Sequence, residues 1–323
     1  MPNRYRDLNT YYKTRFGERV HKITVDAGLN CPNRDGTIST GGCIYCNADG
    51  SGTGNFRRGM SVEEQIRKGI ISVSKRYKAK KFIAYFQSFT NTYGPLNDLK
   101  EIYEKALGFD EIVGLAIGTR PDCINNSVLE LLEGYARSRL VWIEYGLQSS
   151  HNKTLKLINR GHDVECFKQA VEMTRNRGIK ICAHVILGLP GETRRDMMET
   201  AETLSALDLD GVKIHLLYVI RGTVLDALHR SGGYTCLEQD EYVEIVCDFL
   251  EKLPPRMVIQ RLTGDPHPDE LIAPLWALKK MDTLSRIQNM LEQRNSRQGK
   301  YFYPGGAQSP FFFPVHKTMD SQR

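Results

Sequence analysis

Short runs rich in β-branched and aliphatic residues alternate along this chain with longer stretches whose apolar positions repeat at helical spacing. The runs predict strands over 22–26, 81–86, 112–118, 140–147, 180–187, 212–220 and 257–262. Between them, amphipathic patterns predict helices over 62–76, 96–107, 128–138, 164–177, 194–207 and 238–253. Six or seven unbroken strand–helix units point to the α/β class and a parallel sheet. We read it as a partial TIM-type (β/α)6 barrel with a C-terminal helical and loop extension; a doubly wound open sheet is the competing architecture. The chain divides into an N-terminal segment (1–21), the barrel (22–263) and an extension (264–323), in which a helix is predicted over 277–294. The last stretch, GKYFYPGGAQSPFFFPVHKTMDSQR, mixes Gly, Pro and aromatic residues and reads as an ordered wrap or a loose end.

Composition narrows the class without naming it. With 323 residues, 41% hydrophobic and 25% charged, the chain is a globular protein and not a disordered or collagen-like one. No apolar run approaches the roughly 18 residues of a membrane span. The polar start MPNRYRDLNT lacks a secretory core, so a cytoplasmic location is expected and no membrane partner. Charge is uneven. Residues 1–22 hold six Lys/Arg against two acids, and residues 279–323 hold eight against three. Basic ends on a mildly acidic body suit a polyanion such as RNA, although solvated basic termini are also common.

Eight cysteines in such a chain speak for metal binding or reactivity and against a disulfide framework. Five are scattered. Cys31, Cys43 and Cys46 share one loop, GLNCPNRDGTISTGGCIYCN, directly after the first predicted strand, where a parallel barrel builds its active site. Glycines let such a loop wrap a metal centre closely. Three thiolates without a fourth leave one iron of a [4Fe–4S] cluster open. A zinc site completed by His21 is the alternative, but that residue precedes the strand and falls at its other end.

Strand alternation singles out further residues. Trp142, Glu144, Gly146 and Gln148 share a face, as do Lys213 and His215, and His184 lies with Cys182 and Ile186. Polar groups facing the inside of a barrel either bind something polar or satisfy one another. For Lys213 the second case means pairing with an inward carboxylate.

The cysteine loop, with FQSFTNTYGP, GTRPDC, WIEYGLQS, NRGH, LGLPGET and VKIHLLYVIRGT in order at later strand ends, resembles the radical S-adenosylmethionine (radical SAM) superfamily. The resemblance is to the Elp3-like branch, most closely to the YtqA/YhcC type, and covers about residues 5–290. Eleven residues separate Cys31 from Cys43, unlike the commoner C-x3-C-x2-C spacing but like that type. The resemblance implies a [4Fe–4S] cluster on Cys31, Cys43 and Cys46. It implies S-adenosylmethionine (SAM) on its open iron, cleaved reductively to a 5′-deoxyadenosyl radical. Around SAM it implies Tyr45, Gln87, Ser88, Arg120, Glu144, Gln148, Arg160 and the turn at Leu189, with Arg160 on the SAM carboxylate. The Gly-Gly-Glu-like turn usual after the second strand is replaced here by Gln87-Ser88-Phe89. Lys213, His215 and His184 are the candidate catalytic groups. A reductase such as flavodoxin or ferredoxin is the implied electron donor. The implied reaction is modification of a tRNA wobble uridine, carboxymethylaminomethyl to aminomethyl, as in MnmL-like members. The rival readings are a radical SAM enzyme on a small molecule or cofactor precursor, and a zinc-stabilised nucleic-acid-binding protein without catalysis.

Overall fold

The computed structural model describes residues 3–47, 50 and 54–303. In chain order its elements are α1 (Leu8–Phe16), β1 (Val20–Val25), α2 (Val62–Tyr77), β2 (Lys81–Phe86), α3 (Leu96–Leu107), β3 (Ile112–Thr119), α4 (Asn126–Ala136), β4 (Leu140–Gln148), α5 (Asn152–Leu157), α6 (Val164–Thr174) and β5 (Lys180–Leu187). There follow α7 (Arg194–Ala206), β6 (Gly211–Leu216), β7 (Val219–Ile220), α8 (Val224–Arg230), α9 (Gln239–Lys252), β8 (Val258–Arg261), β9 (Leu271–Ala273) and α10 (Lys280–Gln293).

Seven strands form one parallel sheet in the order β1-β2-β3-β4-β5-β6-β8. Strictly sequential order has no switch point, which excludes the doubly wound alternative and gives the barrel-type α/β fold, one strand larger than the six-unit reading. The predicted strand over 212–220 is two elements. Its first part is β6, and Val219–Ile220 leaves the barrel to pair antiparallel with β9. The outer face of the sheet packs on the helices through residues such as Phe86, Ile117, Ile143, Phe167, Leu204 and Phe249, all fully buried. Burying each such side chain is worth roughly 1.5–3 kcal/mol. The helices start where side chains can satisfy free N–H groups: Ser61 with Glu64, and Thr193 with Asp196, form reciprocal capping boxes.

The inner face is a smaller core of Val20, Ile83, Tyr85, Ala116, Leu140, Trp142, Cys182 and Val258. Helix α1, short and tyrosine-rich on its inward face, closes it from below. Asp7 caps α1 by accepting from Thr10 N (2.9 Å), Tyr12 is buried, and Tyr11 meets Trp142 edge-on at 5.6 Å. The same segment adds a parallel bridge, Asp7 to Ile259, at the free edge of β8. The two ends of the described chain therefore meet. Gln298 receives Arg6 N on its side-chain oxygen (2.9 Å), donates its backbone N–H to Arg4 O (2.9 Å), and ties down Pro254 and Met257 with its amide nitrogen (2.6 and 2.8 Å). The aromatic tail from residue 304 onward lies outside the described residues. No helix among the described residues is long and apolar enough to cross a membrane.

Candidate functional site

The cysteine loop leaves β1 and is held over the carboxyl ends of the strands by backbone. Arg34 N and Asp35 N donate to Cys31 O (2.8 and 3.2 Å), and Cys46 N donates to Cys43 O (2.9 Å). Asn33 and Asn159 clamp the loop to the chain after α5: Asn33 Nδ2 donates to Asn159 O (2.6 Å) and Asn159 Nδ2 to Gly42 O (2.7 Å). Cys31 and Cys43 are buried and Cys46 half-buried. The three sulfurs feel one another. Burial first, then Cys43 and to a lesser degree Cys31, push the Cys46 thiol up to about 11. Three thiols gathered on one loop suit a polynuclear cation, whose charge takes the place of their protons. His21 is remote from this chemistry: its ring stacks on Tyr77 of α2 at 4.4 Å.

Arg160 reaches the same place from the turn after α5. Its Nε and Nη2 donate to Gly146 O (3.2 and 2.7 Å), and Nη1 donates to Cys43 Sγ (3.5 Å). This approach requires glycine at 146, where a Cβ would stand 2.5 Å from Arg160 Nη2 and 2.7 Å from Gln148 Nε2. The guanidinium thus supports the Cys43 sulfur, a contact the motif NRGH does not announce. Tyr45 packs beside Cys43 and Arg160.

Around this mouth several buried polar atoms lack partners among the described residues: Asn33 Oδ1, Ser88 Oγ, Thr90 Oγ1, Asn91 Oδ1 and Arg120 Nη1. Buried polar groups are ordinarily satisfied, so a concentration of orphans marks a place for a polar ligand. The other Arg120 nitrogens grip Asp122 (2.9 and 2.6 Å). Ser88 (φ 122°), Phe89 (55°), Gln148 (77°) and Asn159 (52°) take left-handed backbone conformations here, and such strain gathers at ligand sites. Asn91 fixes the ends of β2 and β3 by donating to Phe86 O, Ser88 O and Gly118 O (3.3, 3.0 and 2.8 Å). Gln87 N donates to Val25 O (3.1 Å). Leu189 is buried, with its carbonyl already taken by Glu192 N (3.1 Å). Thr193 caps α7, and Glu192 accepts from Ser149.

Below the mouth, Glu144 lies wholly buried in the barrel lumen. Its Oε1 accepts from Lys22 Nζ (2.6 Å), and its Oε2 accepts from Lys213 Nζ and meets His184 Nε2 at 2.9 Å. Of the two cases open for the inward polar residues, Glu144 and Lys213 therefore take mutual pairing. Lys22 Nζ also donates to Gln260 Oε1 (2.7 Å), linking the two edge strands of the sheet. Nothing in the sequence pattern alone singles out Gln260, Tyr85 or Arg261 for this group. Lys22 shares an inward face with Thr24 once β1 begins at Val20, and that signal was available.

Burial, then Lys213, hold the His184 pKa at about 4, and burial, then Arg261, hold His215 well below its usual value. Both rings are neutral at pH 7. Between about 4 and the ordinary value near 6.5, an unfolded chain binds a proton at His184 that the folded one refuses. Stability is thus complete above about 6.5 and declines as pH falls toward 4, by about 2 kcal/mol for His184 alone at pH 5. Urea midpoints at pH 7 and pH 5 check this: His184→Asn is expected to flatten the dependence, and equal slopes would refute it.

Three thiols beside a ring of orphan polar atoms, at the carboxyl end of a parallel strand–helix barrel, suit a metal centre with a polar ligand next to it. The radical SAM superfamily model matches residues 34–204, starting just after Cys31, and the radical SAM C-terminal domain model matches 209–293. YtqA of Bacillus subtilis is 42% identical over 299 residues, covering 93% of either chain, and YhcC of Escherichia coli K12 is 36% identical over 294, covering 90% of this chain and 94% of its own. The archaeal Methanocaldococcus infernus Elp3 structure superposes with a TM-score of 0.65 at 18% identity, over 86% of this chain and 64% of that one. The chain belongs to the radical SAM superfamily, whose cofactors are a [4Fe–4S] cluster and SAM.

Proposed function

We propose that this radical SAM enzyme acts on tRNA, converting the carboxymethylaminomethyl arm of a wobble uridine to aminomethyl. In this reading Cys31, Cys43 and Cys46 hold the cluster. Ser88, Arg120, Gln87, Gln148, Tyr45 and the Leu189 turn surround SAM, and Arg160 orients Cys43 in addition to facing the SAM carboxylate. Bound together, cluster and SAM would supply the one-electron chemistry that takes a hydrogen atom from the carboxymethyl carbon; loss of one further electron and a proton, and addition of water across the resulting C=N bond, would let the two carbons leave as an oxo acid and free the aminomethyl amine. The protein's own part is enclosure and placement. Glu144 keeps Lys22 and Lys213 charged and fixed, while His184, His215 and Lys213 line the path by which the uridine arm would enter. A reductase of the flavodoxin or ferredoxin kind would supply the electron.

The observation that carries the RNA part is where unpaired positive charge gathers. Lys280, Arg286 and Arg294 of the C-terminal region are neutralised by Asp265, by Asp240 with Asp282, and by Asp248. Arg4, Arg6, Arg297 and Lys300 have no acidic partner among the described residues. The first three line a cleft of about 600 Å³ where the two chain ends meet, and Lys300 borders the adjoining one. Its position at the approach to β8 suits phosphates remote from the reacting nucleotide.

The test is nucleoside mass spectrometry of tRNA bearing the carboxymethylaminomethyl arm after incubation with reduced holoenzyme and SAM. Conversion to aminomethyl is expected, and an unchanged nucleoside overturns the reading in favour of a small-molecule substrate. In parallel, glutamate at positions 4, 6, 297 and 300 is expected to make the log–log salt dependence of tRNA binding shallower by roughly 3. An unchanged slope removes the patch from the interface.

A further inference from the structure

The barrel lumen holds more positive charge than it neutralises. On adjacent strands the register places His184 beside Lys213 and Lys213 beside Arg261. The irregularity where β8 meets Lys213 brings Arg261 opposite that residue, and its charge acts on Lys213, His184, His215 and Tyr85. Lys22 completes a group of three cations. Facing them is one carboxylate, Glu144, with both oxygens engaged by Lys22, Lys213 and His184. Arg261 has no acidic partner among the described residues. The two histidines are neutral and offset nothing. Tyr85 helps through its ring face, 3.9 Å from Lys213 Nζ and 4.7 Å from Lys22 Nζ, but a ring quadrupole does not replace a counter-charge.

A second, independent observation lies in the same place. Gln260 gives its oxygen to Lys22, while its Nε2 is buried with no partner. An orphan N–H donor on the residue preceding an arginine without a counter-charge offers the donor half of an anion site. The lumen is also reachable, since the side chains of Lys22 and His184 keep 15% and 17% of their surface open. Desolvation lowers both lysine ammonium groups below their usual range despite Glu144, as expected where negative charge is short.

We propose that Arg261 and Gln260, with Lys213 beside them, form a recognition site for a carboxylate at the end of the substrate's reacting arm. A planar two-oxygen anion matches the guanidinium fork and the amide N–H, and it supplies the charge the lumen lacks. Discrimination follows from the same arrangement. A neutral arm leaves the donors unsatisfied, and an amine-terminated arm, cationic at neutral pH, meets three like charges. Where the reaction turns a carboxylate arm into an amine, the site that holds the substrate expels the product. The inference rests on the tRNA reading only for the identity of that arm.

The experiment uses reconstituted holoenzyme and two tRNAs differing solely in the wobble arm, one ending in the carboxylate and one in its amide. Anisotropy without reductant gives affinities, and reduced turnover gives kcat and KM. Wild type is expected to prefer the carboxylate arm by ~10- to 100-fold in both affinity and kcat/KM. Arg261→Gln should lower that ratio at least about tenfold, chiefly through KM, and Arg261→Lys should restore part of it. Iron content and thermal midpoint report whether each variant is folded and loaded. A preference that survives in folded Arg261→Gln, or wild type that treats the arms alike, overturns the carboxylate site and leaves tRNA as the substrate. Wild type that turns over neither arm overturns the tRNA reading, and this assignment with it.

Discussion

Alanine at Cys31, Cys43 or Cys46 is expected to yield a folded protein without its iron–sulfur absorbance and without detectable SAM cleavage. The thiols stand on a loop held by backbone hydrogen bonds and by Asn33 and Asn159, outside the sheet–helix core. Losing one sulfur therefore removes a ligand without opening a core cavity, and the cost to unfolding should remain below about 1.5 kcal/mol. The loss of function should be complete, because two thiols on a Gly-rich loop do not hold a cubane meant for three. Iron analysis and anaerobic visible spectra of the reconstituted variants provide the check. Full iron and SAM cleavage in any one of them would remove that residue from the ligand set. A colourless, fully active wild type would replace the cluster with zinc.

The second large effect is expected on stability. Glu144→Gln keeps the shape of the side chain but leaves Lys22 and Lys213 buried around a neutral amide. Breaking one partner of a buried ion group costs about 3–5 kcal/mol, because the remaining charges lose compensation where little water reaches. Lys213 is 3% exposed and Glu144 fully buried, so solvent screening offers little relief. Urea denaturation should show a lowered midpoint with an unchanged slope. Lys213→Met combined with Glu144→Gln should recover part of the loss. A midpoint equal to wild type would mean that the lumen charges are hydrated and that Glu144 is not their keystone.

These two sites differ in how far the sequence exposes them. The cysteines share one loop, and their spacing limits what they can do before any fold is known. The strand–helix rhythm likewise marks the sheet, because two-sided burial leaves largely apolar runs such as those of β2 and β3. It marks the ends less well. The run over 212–220 is aliphatic or aromatic apart from Lys213 and His215, yet only β6 stays in the barrel, since Val219 and Ile220 find a partner in β9 that periodicity does not encode. Helix α1 escapes the sequence pattern because its inward face, Leu8, Tyr11, Tyr12 and Phe16, is short and half tyrosine, a weak apolar signal in a polar segment. Glu144, Lys213 and His184 were recognised as inward, but their meeting on one carboxylate required the register of β4, β5 and β6. The charge at the C-terminal end misleads in the opposite sense: Lys280, Arg286 and Arg294 add to the count but are paired with acids distant in sequence.

By itself the sequence determined the class of fold, the three-thiol loop and the family, because each depends on residue type at short spacing. Only the tertiary structure decided which cations are free. It set Arg160 against Cys43, brought Arg4 and Arg6 to Arg297, and surrounded one carboxylate with two lysines while leaving Arg261 without a counter-charge. The physical reason is that burial and charge pairing are properties of distance in space, and strand register and chain closure assign those distances after the local pattern has been read.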